Sequence, residues 1–472
     1  MSTPLQVSHL GRYASIGALL LKHRGAARAG SDDAGDAPTV ADAEQLVADL
    51  EQHGPTFVKL GQLLSTRADL LPPVYLDALA RLQDDVEPVP FAEVEAAIVE
   101  GLGVRISDAF QELDHRPLAS ASLGQVHRAV LRDGRAVAVK VQRPGIRDRA
   151  LEDIGVIEEL AGFVDSHTRT GQQLQFADMA GELRRSLEHE LDYRREAENL
   201  TLLGDLLAPH DLITVPQPIP DFTSEGVLTM ELVDGRNVAS LGPLARLEVD
   251  GRPLLTQLFR AYLDQILVHG FVHADPHPGN VLLTSDGRLA LIDLGMVVRL
   301  APDLRDRLAR VLASMSEGRA TEVADALVAM GHRTPAFDGD EYRRRITRLV
   351  LDHQTTSVGS IQAGVVMGEL ARAAAECGLQ PPAEMTLVGK ALLNLDRVAQ
   401  VLDPDFDPNL AIRDHTADLL RDRLLGSASP ASLLHTAMDA KEFAEQLPGR
   451  VNKVMDALAE GQLTLQVEGI DE

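Results

Sequence analysis

The stretch "FVHADPHPGNVLL", Phe271 to Leu283, sets two histidines, two prolines, an aspartate, a glycine and an asparagine between apolar runs. His273, Asp275 and His277 alternate along it, a spacing that suits imidazoles and a carboxylate sharing one transition metal. A second arrangement competes for these residues. Asn280 follows Asp275 by five positions, and Asp293 lies thirteen further on in "LIDLG", at the end of an expected strand. One carboxylate orienting a hydroxyl, with an amide oxygen and a second carboxylate on a hard cation, gives all three a role. The metal–histidine reading leaves Asn280 and Asp293 without one and is set aside.

The spacing matches the protein-kinase order, in which Asp275 orients an attacking hydroxyl while Asn280 and Asp293 hold Mg²⁺ on nucleotide phosphates. That plan also needs a lysine on the phosphates and a glutamate to hold the lysine. "VAVK", ending at Lys140, supplies the first at the close of an apolar strand, and Glu196, in the helix that follows, supplies the second. Between the hinge-like "MELVDG", Met230 to Gly235, and the hairpin lies the expected adenine slot, with Glu231 and Val233 as its contacts. A lysine closing a strand is usually a solvated strand end, but four elements in kinase order speak against coincidence.

Composition narrows the class further. A chain of 472 residues exceeds one small core and suggests two or three units. Its formal charge of −26, from 71 acidic against 45 basic side chains, repels phosphate backbones and argues against nucleic acid as a partner. A single cysteine, Cys377, excludes an intramolecular disulfide and fits a reducing compartment. No apolar run approaches the roughly 20 residues that cross a bilayer. "YASIGALLL", Tyr13 to Leu21, is followed by Lys22, His23 and Arg24, which reads as an amphipathic helix rather than an export signal. Packing on the protein's own body is the expectation for it, with peripheral contact at the inner face of a membrane as the alternative to a purely cytoplasmic chain.

Four segments are expected: residues 1–40, a helix and flexible linker; 41–115, helical; 116–235, a small sheet with inserted helices; and 236–472, helical. "GAARAGSDDAGDAPTVAD", Gly25 to Asp42, reads as the linker. Helices are expected after Gly54-Pro55, over Pro73 to Gln83 and over Phe91 to Glu100. The pattern changes at Pro117, where two strand-like runs join around Asp133-Gly134. Helix is expected again from about Arg147 to Leu207, then short strands around a helix from about Leu254 to His269, then helix from Ala301 onward. "DPDFDPN" sets Asp403, Asp405 and Asp407 like the first ligands of a calcium loop. Pro408 stands where that loop requires Gly, and Asp414 where it requires Glu, so calcium is rejected.

Two features depart from an ordinary protein kinase. The turn over the phosphates is "LASASLGQ", with Ala119, Ser120, Ala121 and Ser122 in place of glycines and only Gly124 left. Beyond Asp293-Leu294-Gly295 the chain runs almost directly into "PDLRDRLARVLASM", leaving no room for a long activation segment, and Ala274 stands where many kinases carry arginine. A peptide platform is therefore not expected. With a K-x-G-Q motif, Lys59, Leu60, Gly61 and Gln62, and an E-x-D motif, Glu190, Leu191 and Asp192, the chain resembles the UbiB/AarF family of atypical protein-kinase-like proteins from roughly Leu10 to Asp407.

The resemblance implies a bilobal kinase-like α+β fold with a helical N-terminal extension, and ATP and Mg²⁺ as cofactors. It implies Lys140, Glu196 and Asp275 as catalytic residues, Asn280 and Asp293 on the metal, and Ala119, Ser120, Ala121, Ser122, Gly124, Lys140, Glu231 and Val233 around the nucleotide. Lys59 and Gln62, three apart on one helical face, would fold over the peptide site and meet Glu190 and Asp192, suppressing protein phosphorylation. The family's link to isoprenoid quinone biosynthesis and lipid homeostasis implies a lipid or isoprenoid small molecule as partner; a homodimer is a further expectation. Members often carry a C-terminal membrane helix, whereas this chain ends in the polar "GQLTLQVEGIDE". Two alternatives stay open: a phosphotransferase of the aminoglycoside or choline kinase type, and a nucleotide-binding pseudokinase scaffold. Lys59 and Gln62 argue against the first, and the intact Lys140, Asp275, Asn280 and Asp293 against the second.

Overall fold

The computed structural model describes residues 10–23, 39–65, 71–79, 82, 87–168, 176–242, 249–316, 318–355, 363–408 and a few positions between 410 and 419. Contacts divide the chain into two units, residues 1–412 and 413–472, and the first holds all that follows. The polar C-terminal stretch and most of the expected linker lie outside the described residues.

The first unit opens with α1 (Leu10–Lys22), α2 (Val40–His53), α3 (Pro55–Leu64) and α4 (Pro73–Leu79). Thr39 starts α2 with a capping box, its hydroxyl accepting from the Asp42 amide while the Asp42 carboxylate accepts from the Thr39 amide. Those two residues were expected to lie in the linker, so the linker ends earlier than its composition suggested. Ile16, Leu19, Leu46, Leu50, Phe57, Leu79 and Leu82 close into one apolar cluster, each side chain contributing about 1.5–3 kcal/mol by burial. The helix α1 therefore buries its apolar face in the protein. Its polar residues Arg12 and Tyr13 reach Asp153 and Glu159.

Next come α5 (Phe91–Leu102), a single turn α6 (Ile106–Ala109), and the strands β1 (Phe110–Ser120), β2 (Gly124–Leu131) and β3 (Ala136–Gln142). The expected change at Pro117 comes seven residues early, at Phe110. Most of β1 is exposed and its pairing with β2 is irregular, as befits a charged, proline-bearing edge strand. Among the described residues, the long helix expected to Leu207 is divided into α7 (Ile146–His167), α8 (Phe176–Glu190) and α9 (Tyr193–Leu207). After β4 (Ile213–Thr214), the strand β5 (Val227–Glu231) completes a four-stranded antiparallel sheet in the order β1-β2-β3-β5.

A second sheet, ordered β4-β9-β8-β6, is built from β4, β6 (Gly235–Asn237), β8 (Val281–Thr284) and β9 (Leu289–Leu291). The helix α10 (Gly251–Leu263) passes into a π-helical segment, Asp264–His269, ahead of β7 (Phe271–His273), which pairs with β10 (Val297–Arg299). Then follow α11 (Pro302–Ser316), α12 (Ala320–Met330), β11 (His332–Arg333), α13 (Gly339–Thr355), α14 (Ala363–Glu376), β12 (Leu379–Gln380) and α15 (Ala383–Leu402). The pairing of β11 with β12 interrupts what was expected as unbroken helix. A small sheet with its helices, joined through Leu232 to Asp234 to a mostly helical half, is the bilobal kinase-like α+β arrangement. Among the described residues no helix is long and apolar enough to cross a membrane.

Candidate active site

In β3, alternate residues Val137, Val139 and Val141 are buried, which turns Lys140 to the opposite face of the sheet. There its Nζ lies 2.9 and 2.8 Å from the two carboxylate oxygens of Glu196 and 3.5 Å from Asp293 Oδ2. Burial opposes the lysine's charge, but the Asp293 and Glu196 carboxylates outweigh it and hold its pKa well above the ordinary value. Glu196 is 4% exposed, and its desolvation pushes it up to about 7 despite the lysine. Asp293 goes the other way, held low chiefly by the Lys140 ammonium.

The short break between α8 and α9 sets Glu196 in place. Asp192 is the N-cap of α9, its Oδ1 accepting from the Arg194 amide at 3.2 Å, and Glu196 follows in the first turn. From the same helix Asn199 donates to the Leu294 carbonyl at 3.0 Å, tying α9 to the loop that carries Asp293. On the other side of the break, Glu190 ends α8 and meets Lys59 of α3, Nζ to Oε2 at 2.6 Å. Gly61, next along α3, allows the close packing beneath: a Cβ there would lie 2.3 Å from Leu82 Cδ1 and 2.9 Å from Leu50 Cδ1. Gln62 lies on the same helix, half-buried, with its carbonyl accepting from the Ser65 hydroxyl at 2.7 Å.

The hairpin places the expected metal residues side by side. Val281 pairs with Leu291, and the Ile292 amide donates to the Asn280 carbonyl at 3.0 Å, so Asn280 and Asp293 emerge together where the strands part. Asp293 takes φ +61°, a left-handed backbone conformation that turns the chain sharply at this point. The pairing of β7 with β10, extended by the Ala274 amide to the Met296 carbonyl at 3.0 Å, brings Asp275 to the same end. The Asn280 amide nitrogen donates to the Asp275 carbonyl at 3.2 Å, which leaves its amide oxygen as the group for a cation. Hard oxygen donors on Asn280 and Asp293 fit Mg²⁺. The two histidines of the discarded metal reading are otherwise placed: His277 Nδ1 accepts from the Gly279 amide at 2.9 Å, and His273 is fully buried.

The alanine-rich turn joins β1 to β2. Ala119 and Ser120 are strand residues paired with Val126 and Gln125, Ala121 and Ser122 make the turn, and Ser122 is buried. Gly124 opens β2 where a Cβ would lie 2.5 Å from both Tyr193 Oη and the Val141 carbonyl oxygen. Glu231 ends β5 opposite Val137, and Val233 lies in the crossover toward β6.

Three residues near these groups were not anticipated. Arg143, just past the end of β3, braces the turn, its guanidinium donating to the Ala121 carbonyl at 2.9 Å, the Ser120 hydroxyl at 2.9 Å and the Glu87 carbonyl at 2.7 Å. Asn394 Nδ2 donates to Asp275 Oδ1 at 2.8 Å, and Lys390 Nζ lies 3.4 Å from Asp275 Oδ2, both from α15. Their spacing of four, which sets Lys390 and Asn394 on one face of the helix, was the one signal available.

The sequence profile of the ABC1 atypical kinase-like domain matches residues 81–327. The chain belongs to this family. It is 33% identical over 470 residues to the protein ACTIVITY OF BC1 COMPLEX KINASE 8, chloroplastic, of Arabidopsis thaliana, a match covering 91% of this chain and 62% of that protein. It is 31% identical to the "Probable protein kinase UbiB" of Marinobacter nauticus, over 89% of this chain and 77% of that one. Among solved structures, the Rv3197–erythromycin complex from Mycobacterium tuberculosis aligns with a TM-score of 0.50 at 26% identity, covering 78% of this chain and 96% of that one. The chain thus spans less than two thirds of the Arabidopsis relative's length.

Proposed function

We propose that this protein binds Mg-ATP and transfers its terminal phosphoryl group to water or to a small, lipid-like acceptor rather than to a peptide. The observation that carries the reading is the convergence of Lys140, bonded by both oxygens of Glu196, on Asp293, with Asn280 beside Asp293 in the hairpin. Bound Mg²⁺ would neutralise charge on the phosphates. Lys140 would hold the inner phosphates, Glu196 keeps that lysine in place, and Asp275 would orient the attacking hydroxyl. Gly124 and the braced Ala121–Ser122 turn would cover the phosphate side, and Glu231 and Val233 would line the adenine side. The link to isoprenoid quinone metabolism rests on the family resemblance and on the relative named for UbiB.

The test compares nucleotide-induced thermal stabilisation of wild type and Asp293→Asn with Mg²⁺ present. The reading expects a shift of several degrees in wild type and none in the variant. An unchanged shift in Asp293→Asn would remove the metal assignment.

A further inference from the structure

We infer that Lys390, delivered by α15 from outside the catalytic loop, is the cation that engages the transferred phosphoryl group, with Asn394 as the positioning residue for Asp275. The inference rests on the Mg-ATP reading and adds a residue to it. Between Asp275 and Asn280 the loop "DPHPGN" holds no lysine or arginine. Its one basic side chain, His277, turns Nδ1 inward as acceptor for the Gly279 amide. Lys140, held by Glu196 and Asp293, is assigned to the inner phosphates rather than to the transferred group. Charge that grows on the phosphoryl oxygens beside Asp275 therefore has no partner from the loop itself.

The helix α15 supplies one. It packs along β10 and the Pro278–Asn280 turn, and Lys390 and Asn394 sit one helical turn apart facing Asp275. Asn394 is 3% exposed and fully engaged: Nδ2 donates to Asp275 Oδ1 at 2.8 Å, and Oδ1 accepts from the Arg397 guanidinium at 3.3 Å. A buried amide satisfied at both ends fixes the carboxylate's orientation, which a surface contact would not. Lys390 differs. Its ammonium lies 3.4 Å from Asp275 Oδ2 while its side chain remains 36% exposed, so it can leave the carboxylate without desolvating a new charge.

In the reaction, the oxygen of water or an acceptor hydroxyl forms a bond to the γ-phosphorus. The bond from that phosphorus to the β,γ-bridging oxygen breaks, its electron pair leaving with ADP, and the nucleophile's proton passes to Asp275. Lys390, next to Asp275 and hence to the attacking oxygen, exchanges its carboxylate contact for an equatorial oxygen of the transferring group.

The experiment measures steady-state ADP release, and the affinities of ADP and of a non-hydrolysable ATP analogue by calorimetry, for the full chain with Mg²⁺. Lys390→Ala should lower kcat about 10²-fold, as loss of one preorganised donor does, and leave ADP affinity unchanged because ADP lacks the γ group. Lys390→Arg should restore at least a tenth of the rate. Lys390→Met, which keeps the stem but not the charge, should not, and this Arg/Met pair carries the test if the alanine variant fails to fold. Asn394→Ala should lower kcat with KM unchanged. Wild-type kcat in Lys390→Ala, or ADP and analogue affinities falling together, would overturn the role of Lys390 while leaving the Mg-ATP reading intact. A wild-type chain that binds neither nucleotide would overturn the reading and the inference with it.

Discussion

Two lysine–glutamate pairs flank the break between α8 and α9, and they are built differently. Lys140 meets Glu196 just after the break, with Glu196 4% exposed and Asp293 as a third charged member. Lys59 meets Glu190 just before it, at 2.6 Å, with side-chain exposures of 12% and 28%. The first is a desolvated cluster whose members shift one another's protonation. The second joins the α3 helix to the kinase-like body through a more exposed glutamate. Asp192, between the glutamates, caps α9 and thereby fixes the start of the helix that carries Glu196. One short segment thus orders both the partner of Lys140 and the attachment of the N-terminal helices.

The comparison predicts unequal consequences. Glu196→Ala removes the more deeply buried glutamate, 4% against 28% exposed for Glu190, leaves Lys140 with only the more exposed Asp293 near it, and should cost about 3 kcal/mol in chemical denaturation. A loss near 1 kcal/mol would mean that the cluster is as wet as the other pair. The same cluster gives a pH signature. Because desolvation raises Glu196 to about 7 from 4.5, the folded protein holds that proton more tightly than the unfolded chain. The stability so gained is full below about 4.5 and is lost as pH rises through 7. Glu196→Gln should flatten that slope of stability against pH.

Gly61→Leu tests the packing under the second pair. With a Cβ already 2.3 Å from Leu82 Cδ1, the larger side chain must push α3 off the cluster of Leu50, Leu79 and Leu82. About 1–3 kcal/mol of destabilisation is expected. Lys59→Ala should have the smallest effect on stability, about 1 kcal/mol or less for a partly solvated pair. Its combination with Glu190→Ala should be non-additive, since both remove one contact. If Lys59 helps to close the site against protein hydroxyls, autophosphorylation with labelled ATP should rise in Lys59→Ala; no rise would leave the α3 helix as packing alone.

The residues legible in the sequence were those whose position follows from local rules. A strand carrying Lys140 and a hairpin carrying Asn280 and Asp293 place their side chains by alternation and register, and the structure sets Lys140 2.9 Å from Glu196 and 3.5 Å from Asp293. Asp192, singled out through the E-x-D motif, is the N-cap of α9. What escaped depends on distant packing. The first eight residues of β1, "FQELDHRP", carry too many charges for a strand pattern, because an exposed edge strand has only one partner to satisfy. Arg143 acts through backbone carbonyls, which no side-chain motif records. Asn394 reaches Asp275 across 119 positions, and only the assembled helices bring the two together.

The most direct measurement is the pairing of ATP affinity with ATP turnover in Asp275→Asn, in the presence of Mg²⁺. Asp275 sits where the loop after β7 meets α15, apart from the Lys140–Glu196–Asp293 cluster that would hold the phosphates. Nucleotide affinity should stay within about twofold of wild type while turnover falls by at least about 10²-fold. Turnover close to the wild-type rate would contradict the assignment of Asp275, and with it the claim that this cleft transfers phosphoryl groups by the kinase plan.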